Sequence, residues 1–152
     1  MMDYRIEVIT LPVSDVDAAV RFYTERAGFA LDVDYRPNST FRVVQLTPPG
    51  SSCSVQLGVG LTDAAPGSAR TTVLVVTDIE AARRELTGRG LAVGPIRHKT
   101  SVDAWQGDYS PGVAPDRRNY ASFIDFADPD GNTWVVQERG FTSAGSTSVR
   151  RR

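Results

Sequence analysis

Two residue types that carry much of protein chemistry are nearly missing from this chain of 152 residues, which has one cysteine, Cys53, and one histidine, His98. A single cysteine excludes an intramolecular disulfide. A single histidine excludes any centre built on two imidazoles, including a two-His, one-carboxylate iron site. An excess of charge of either sign is also missing. With 17 basic and 18 acidic residues and a formal net charge of -1, no whole-protein field draws nucleic acid or an anionic membrane. No apolar run approaches the roughly 18 residues of a membrane span. No signal peptide is readable, so the cytoplasm is the expected compartment. Gly58-Val59-Gly60 followed by Asp63 lacks the third glycine of a dinucleotide fingerprint, and no phosphate loop occurs. Arg150, Arg151 and Arg152 form a basic end, but three charges are a weak signal for nucleic acid.

What is present is patterned. Residues 5–13 (RIEVITLPV) are rich in β-branched side chains and read as a strand. Ser14-Asp15-Val16-Asp17 approximates a capping box, and Val16, Ala19, Val20, Tyr23 and Ala27 recur at helical spacing until Gly28 stops them. Three strand-like runs follow, at residues 29–35, 40–46 and 53–57, separated by Pro37-Asn38 and Pro48-Pro49-Gly50. Residues 59–69 are small, polar and turn-rich, and read as a linker. The pattern then restarts. A strand is expected at 71–76. A capping box, Thr77-Asp78-Ile79-Glu80, opens a second helix whose buried face carries Ile79, Ala82 and Leu86. Strands are expected at 91–96, 120–126 and 133–138, the last two joined by the turn Asp128-Pro129-Asp130-Gly131.

The repetition survives arithmetic. At an offset of 63, Val13 meets Val76, Asp15 meets Asp78, Ala18 meets Ala81, Arg21 meets Arg84 and Thr24 meets Thr87. At an offset of 81, Pro48 meets Pro129, Gly50 meets Gly131, Val55 meets Val136 and Gln56 meets Gln137. Caps, helix faces and turns repeat together, which chance self-similarity does not produce. The larger second offset places extra residues in a long loop at 99–119. The organisation is therefore a first βαβββ module at 1–58, a linker at 59–69, a second βαβββ module at 70–139, and a disordered tail at 140–152.

Duplicated βαβββ halves, with TLPVSDVDAAVRFY at 10–23 and DFADPDGNTWVVQE at 125–138, resemble the vicinal-oxygen-chelate superfamily, which includes glyoxalase I, extradiol dioxygenases and bleomycin-resistance proteins. The resemblance covers about residues 5–138. It implies an α+β fold in which two curved mixed sheets face one another around one cavity. It also implies metal-ligand positions on the first and last strands of each half. In this chain those positions match Val8, Ser54, Thr71 and Val135. Valine has no donor atom and neutral hydroxyls are poor ligands for a divalent ion. No metal and no cofactor is expected.

Strand alternation then sorts the faces. Val8, Thr10, Ser54, Gln56, Thr71, Val135 and Gln137 should line the cavity, while Ile9, Leu11, Val55, Leu57, Trp134 and Val136 pack beneath the helices. Gln56 and Gln137 either meet a ligand or bond each other and nearby backbone. Trp105 and Tyr109, on the loop at 99–119, either stack on a planar ligand or fill a groove or subunit contact. Cys53 reads as a small buried hydrophobe, His98 as structural or solvated, and Glu7 and Glu138 as solvent-facing.

Three functions compete on this reading. The first is a metal-independent binder of a small planar or hydrophobic molecule, as in antibiotic sequestration by the bleomycin-resistance relatives. The second is an isomerase, lyase or oxygenase variant with Glu7, His98 and Asp125 as acid–base candidates. The third is a homodimeric interaction module. The expected partners are a small molecule and a second copy of the chain, with neither nucleic acid nor membrane.

Overall fold

The computed structural model describes residues 1–101 and 105–143. Residues 144–152, which hold most of the expected tail and its three arginines, lie outside the described residues, as do 102–104 of the long loop. The chain divides into two compact units, one of Met1–Thr71 with Ala127–Thr133, the other of Thr72–Phe126 with the chain from Trp134.

In the first unit a sheet runs in the order β1 (Val8–Thr10), β4 (Ser54–Val59), β3 (Phe41–Thr47), β2 (Ala30–Asn38). β1 is parallel to β4 and the other pairs are antiparallel. α1 (Val16–Arg21) continues into a π-helical turn at Phe22–Arg26. Its buried residues Val16, Ala19, Tyr23 and Ala27 follow the expected spacing. They meet Leu11, Val44, Leu46, Val55 and Leu57 in a core drawn from alternate strand positions. The N-cap is Asp15, one residue later than the capping-box reading, and its carboxylate accepts from the Ala18 N–H at 3.0 Å. Ser14 instead donates to Asp130 Oδ1 at 2.6 Å.

That contact explains why the turn at 127–133 belongs with the first unit. Asp128 is buried and accepts from the Tyr23 hydroxyl at 2.7 Å and from the Asn132 side-chain amide at 2.8 Å. Asn132 also donates to Pro12 O and accepts from the Ala69 N–H. A side chain at Gly67 (φ 81°) would meet the Asp130 carbonyl oxygen at 2.1 Å, so only glycine fits there.

In the second unit the sheet order is β5 (Thr72–Val76), β9 (Thr133–Glu138), β8 (Ser122–Ala127), β6 (Arg97–His98), β7 (Ser110–Pro111). β5 and β9 are parallel. α2 (Ile79–Gly88) is capped by Asp78, again one residue later than the capping-box reading placed it. Trp134 is buried, stacked on Phe126 with ring planes 8° apart.

Two expectations fail here. Residues 91–96 form no strand, and pairing begins only at Arg97. Pro95 has no N–H to give a ladder, and the Gly94 carbonyl is taken by the Arg83 side chain at 2.9 Å while its N–H donates to Asp125 O. Glu138 does not face solvent. It is 0% exposed, because Arg117 from the long loop reaches down to pair with it at 2.7 Å.

Candidate ligand-binding faces

Each sheet has one face under its helix and one open face, and the register decides which side chains stand where. In the first unit Val8 is the Cα partner of Ser54, and Thr10 of Gln56. These four residues share the open face. Their polar atoms are largely engaged with one another. Gln56 Nε2 donates to Thr10 Oγ1 at 2.8 Å, Ser54 Oγ bonds Thr47 Oγ1 at 2.7 Å, and Thr47 donates to Asp32. Val33 and Tyr35, on an edge strand exposed along its whole length, add exposed apolar surface. On the helix side, Ile9 shares a face with Val55 but stays half-exposed, because β1 is an edge strand.

In the second unit the open face carries Val73 and Val75, each 49% exposed, opposite Val135 and Gln137. Gln137 Nε2 donates to Tyr120 O at 2.9 Å. Beyond β9 stands Phe123, with Tyr109 edge-on at 5.4 Å and Trp105 edge-on at 6.3 Å between centroids. The two loop aromatics are thus brought together around one strand ring. Sequence reasoning missed three members of this group: Phe123, Arg97 and Lys99. The Arg97 guanidinium lies 4.5 Å from the Tyr109 centroid and 3.4 Å from Asp125, and the Lys99 ammonium lies 3.9 Å from the Tyr109 centroid. Their i, i+2 spacing around His98 was the available signal, hidden because the strand was expected to end at Ile96.

The loop bearing these rings is clamped at its base. Arg117, at φ 52°, pairs with Glu138, Glu80 and Asp78, and these carboxylates hold its guanidinium above its ordinary pKa, Glu138 foremost. Arg118 donates to Lys99 O at 2.6 Å, which joins the two ends of the loop. A separate pair of carboxylates, Asp34 and Asp17, grips the buried Arg42 in the first unit. Hydrogen bonds from Arg42 hold both below the usual Asp value.

The donor set does not suit a divalent ion. Relative to β1 and β4, the register makes Val73, not Thr71, the partner of Val135. The connector between first strand and helix is two residues longer in the first half, so the offset of 63 that holds for the helices becomes 65 for the strands. The four positions become Val8, Ser54, Val73 and Val135, of which three have no donor atom. Thr71 instead sits before β5 at φ 60°. No group of three His, Cys, Asp or Glu among the described residues could hold a metal ion.

The acid–base candidates are not assembled either. His98 is buried with Nδ1 2.8 Å from Gly112 O, and alternation sends it to the face opposite Arg97 and Asp125. Asp125 is paired with Arg97. Glu7 lies outside β1 and is exposed. Cys53 is half-buried, with its thiol 3.6 Å from Ser54 O. A concavity of about 320 Å³ in the first unit, between Leu11–Val16 and the linker, holds none of these residues.

The family model described as Glyoxalase/Bleomycin resistance protein/Dioxygenase superfamily matches residues 5–136. Among solved structures the chain is similar to TnmS3, an antibiotic binding protein from Streptomyces sp. CB03234, at 29% identity. That match covers 91% of this chain and 98% of that one, with a TM-score of 0.68. A glyoxalase/bleomycin resistance protein from the same organism is 29% identical over 88% of this chain and 100% of its own, TM-score 0.64. A superfamily member from Sphaerobacter thermophilus DSM 20745 is 27% identical over 91% and 100%, TM-score 0.66. Comparison with curated proteins gives no match.

Proposed function

Because the chain belongs to the glyoxalase/bleomycin resistance protein/dioxygenase superfamily, we propose that it is a metal-independent binder of a small planar, hydrophobic molecule, of the kind that antibiotic sequestration requires. The observation that carries this reading is the second unit's open face. There, half-exposed Val73 and Val75 continue into an aromatic wall of Trp105, Tyr109 and Phe123. Apolar floor, flat rings and a few polar atoms are the usual make-up of a small-molecule site. The similarity to an antibiotic binding protein points the same way. A binder needs no assembled acid–base pair, and among the described residues Glu7, His98 and Asp125 are not brought together. The exposed apolar open faces also favour a homodimer in which a second copy supplies cover, and the cytoplasm remains the proposed compartment.

Fluorescence titration with a panel of planar natural products tests the reading. Trp105 is exposed and should respond. Trp134, buried and stacked, serves as the unresponsive reference. Saturable quenching that disappears in Trp105→Phe is the expected result. A panel without one saturable compound would overturn the proposal. Light scattering of the same samples reads the oligomeric state.

A further inference from the structure

The ladder past β6 continues through Lys99, whose N–H donates to Ala121 O at 3.0 Å. Alternation therefore puts Arg97 and Lys99 on the open face and His98 on the other. Among the described residues the carboxylate paired with a cation on this face is Asp125, which Arg97 engages at 3.4 Å. Lys99 is 4% exposed. Its ammonium donates to the Gly107 carbonyl and lies over the Tyr109 ring, and among the described residues no carboxylate stands within ion-pair distance of it. An ammonium has three donors, and Gly107 is the one hydrogen-bond acceptor on it among the described residues.

A buried charge without a counter-charge is costly, and proteins normally pair it. This chain does so elsewhere. Arg42, as buried as Lys99 at 7% exposed, has two carboxylates, and Arg117 has three. Among the described residues Lys99 departs from that practice, at the place where the aromatic rings gather. Tyr109, which covers the ammonium, is 44% exposed.

Resting on the binding reading above, we propose that the ligand is an organic anion: an aromatic scaffold bearing a carboxylate, sulfonate or phenolate. The rings stack on Trp105 and Tyr109, and the anionic group supplies the counter-charge that no described carboxylate gives Lys99, with Arg97 as the second donor. The charge-assisted bond makes the anion a specificity element and the rings the main source of burial.

A matched pair of dyes tests this on the full chain: 8-anilinonaphthalene-1-sulfonate and its uncharged counterpart N-phenyl-1-naphthylamine. The sulfonate is expected to bind at least about tenfold more tightly, the size of one hydrogen bond to a charged group. Lys99→Met should erase about tenfold of sulfonate affinity and leave the neutral dye unchanged. Arg97→Gln should do the same to a smaller extent. Lys99→Met should also melt no lower than the parent, since a buried charge has been removed. Equal affinities in the parent, or equal losses for both dyes in Lys99→Met, would overturn the proposal. Binding of the neutral dye alone sinks the anion and spares the binding reading, whereas failure of both dyes to saturate sinks the two together. Should Lys99→Met not fold, the parent's preference between the dyes decides the matter.

Discussion

Arg117→Met asks what a wholly buried carboxylate costs once its cation is gone. Glu138 is 0% exposed and takes two bonds from Arg117, at 3.0 Å to Oε2 and 2.7 Å to Oε1. It also accepts the Ile79 N–H at 2.9 Å, which ties it to the first turn of α2. The other two carboxylates on Arg117, Glu80 at 3.1 Å and Asp78 at 3.4 Å, are well exposed. Exposed pairs of that kind contribute roughly 0.2–1 kcal/mol each. The buried partner decides the outcome, because breaking a buried pair from one side costs about 3–5 kcal/mol. Arg117 is itself partly exposed, which places the expected loss at the lower end, about 3 kcal/mol. At about 2–4 °C per kcal/mol for a chain of this size, the melting temperature should fall by about 6–12 °C. Glu138→Gln removes the charge and keeps an acceptor for Ile79. The double variant should therefore be more stable than the two single losses added together. Thermal melts of the four proteins, followed by circular dichroism, complete the cycle. A melt of Arg117→Met within about 2 °C of the parent would refute the argument, as would additive losses in the double variant.

The Arg42 cluster should make stability depend on acid. Asp34 and Asp17 have folded pKa values below the ordinary 3.8, with hydrogen bonds from Arg42 the leading cause. Depressed carboxylates stabilise above the unfolded pKa, and that contribution is lost as pH falls through the folded value. Urea melts between pH 6 and pH 2.5 should thus show Asp34→Asn losing less stability on acidification than the parent; equal slopes would contradict it. Gly67→Ala should destabilise by more than about 1 kcal/mol, because it combines φ 81° with a clash at 2.1 Å against the Asp130 backbone. A neutral melt would show that the linker simply moves aside. Exhaustive chelation should leave dye binding unchanged, given the donor-poor positions Val8, Val73 and Val135. A loss restored by a divalent ion would reverse the metal-independent reading.

Much of the architecture could be read before any coordinates because it is local. Helix spacing at Val16, Ala19 and Tyr23, alternation at Trp134 and Val136, and the turn at Asp128–Gly131 each follow from a few neighbouring residues and one physical rule. Even the caps were missed by one residue only, since Asp15 and Asp78 satisfy the first turn as Ser14 and Thr77 were expected to. What could not be read depends on contacts distant in sequence. Glu138 looks like the exposed end of a strand until Arg117 arrives from 21 residues away. Thr71 looks equivalent to Val8 until strand pairing shows that the two halves differ by two residues between strand and helix. The aromatic group at Phe123 needs a loop to fold back on a strand. The repeat is therefore a record of what the two halves share, and the candidate site lies where they differ. Lys99, Trp105, Tyr109 and Arg117 all sit in the long loop of the second half, the segment with no counterpart at either offset. In a duplicated fold whose symmetric positions Val8, Val73 and Val135 carry no donor atom, that asymmetry is where selectivity for one molecule over another can arise, because the symmetric remainder is occupied with forming the sheets.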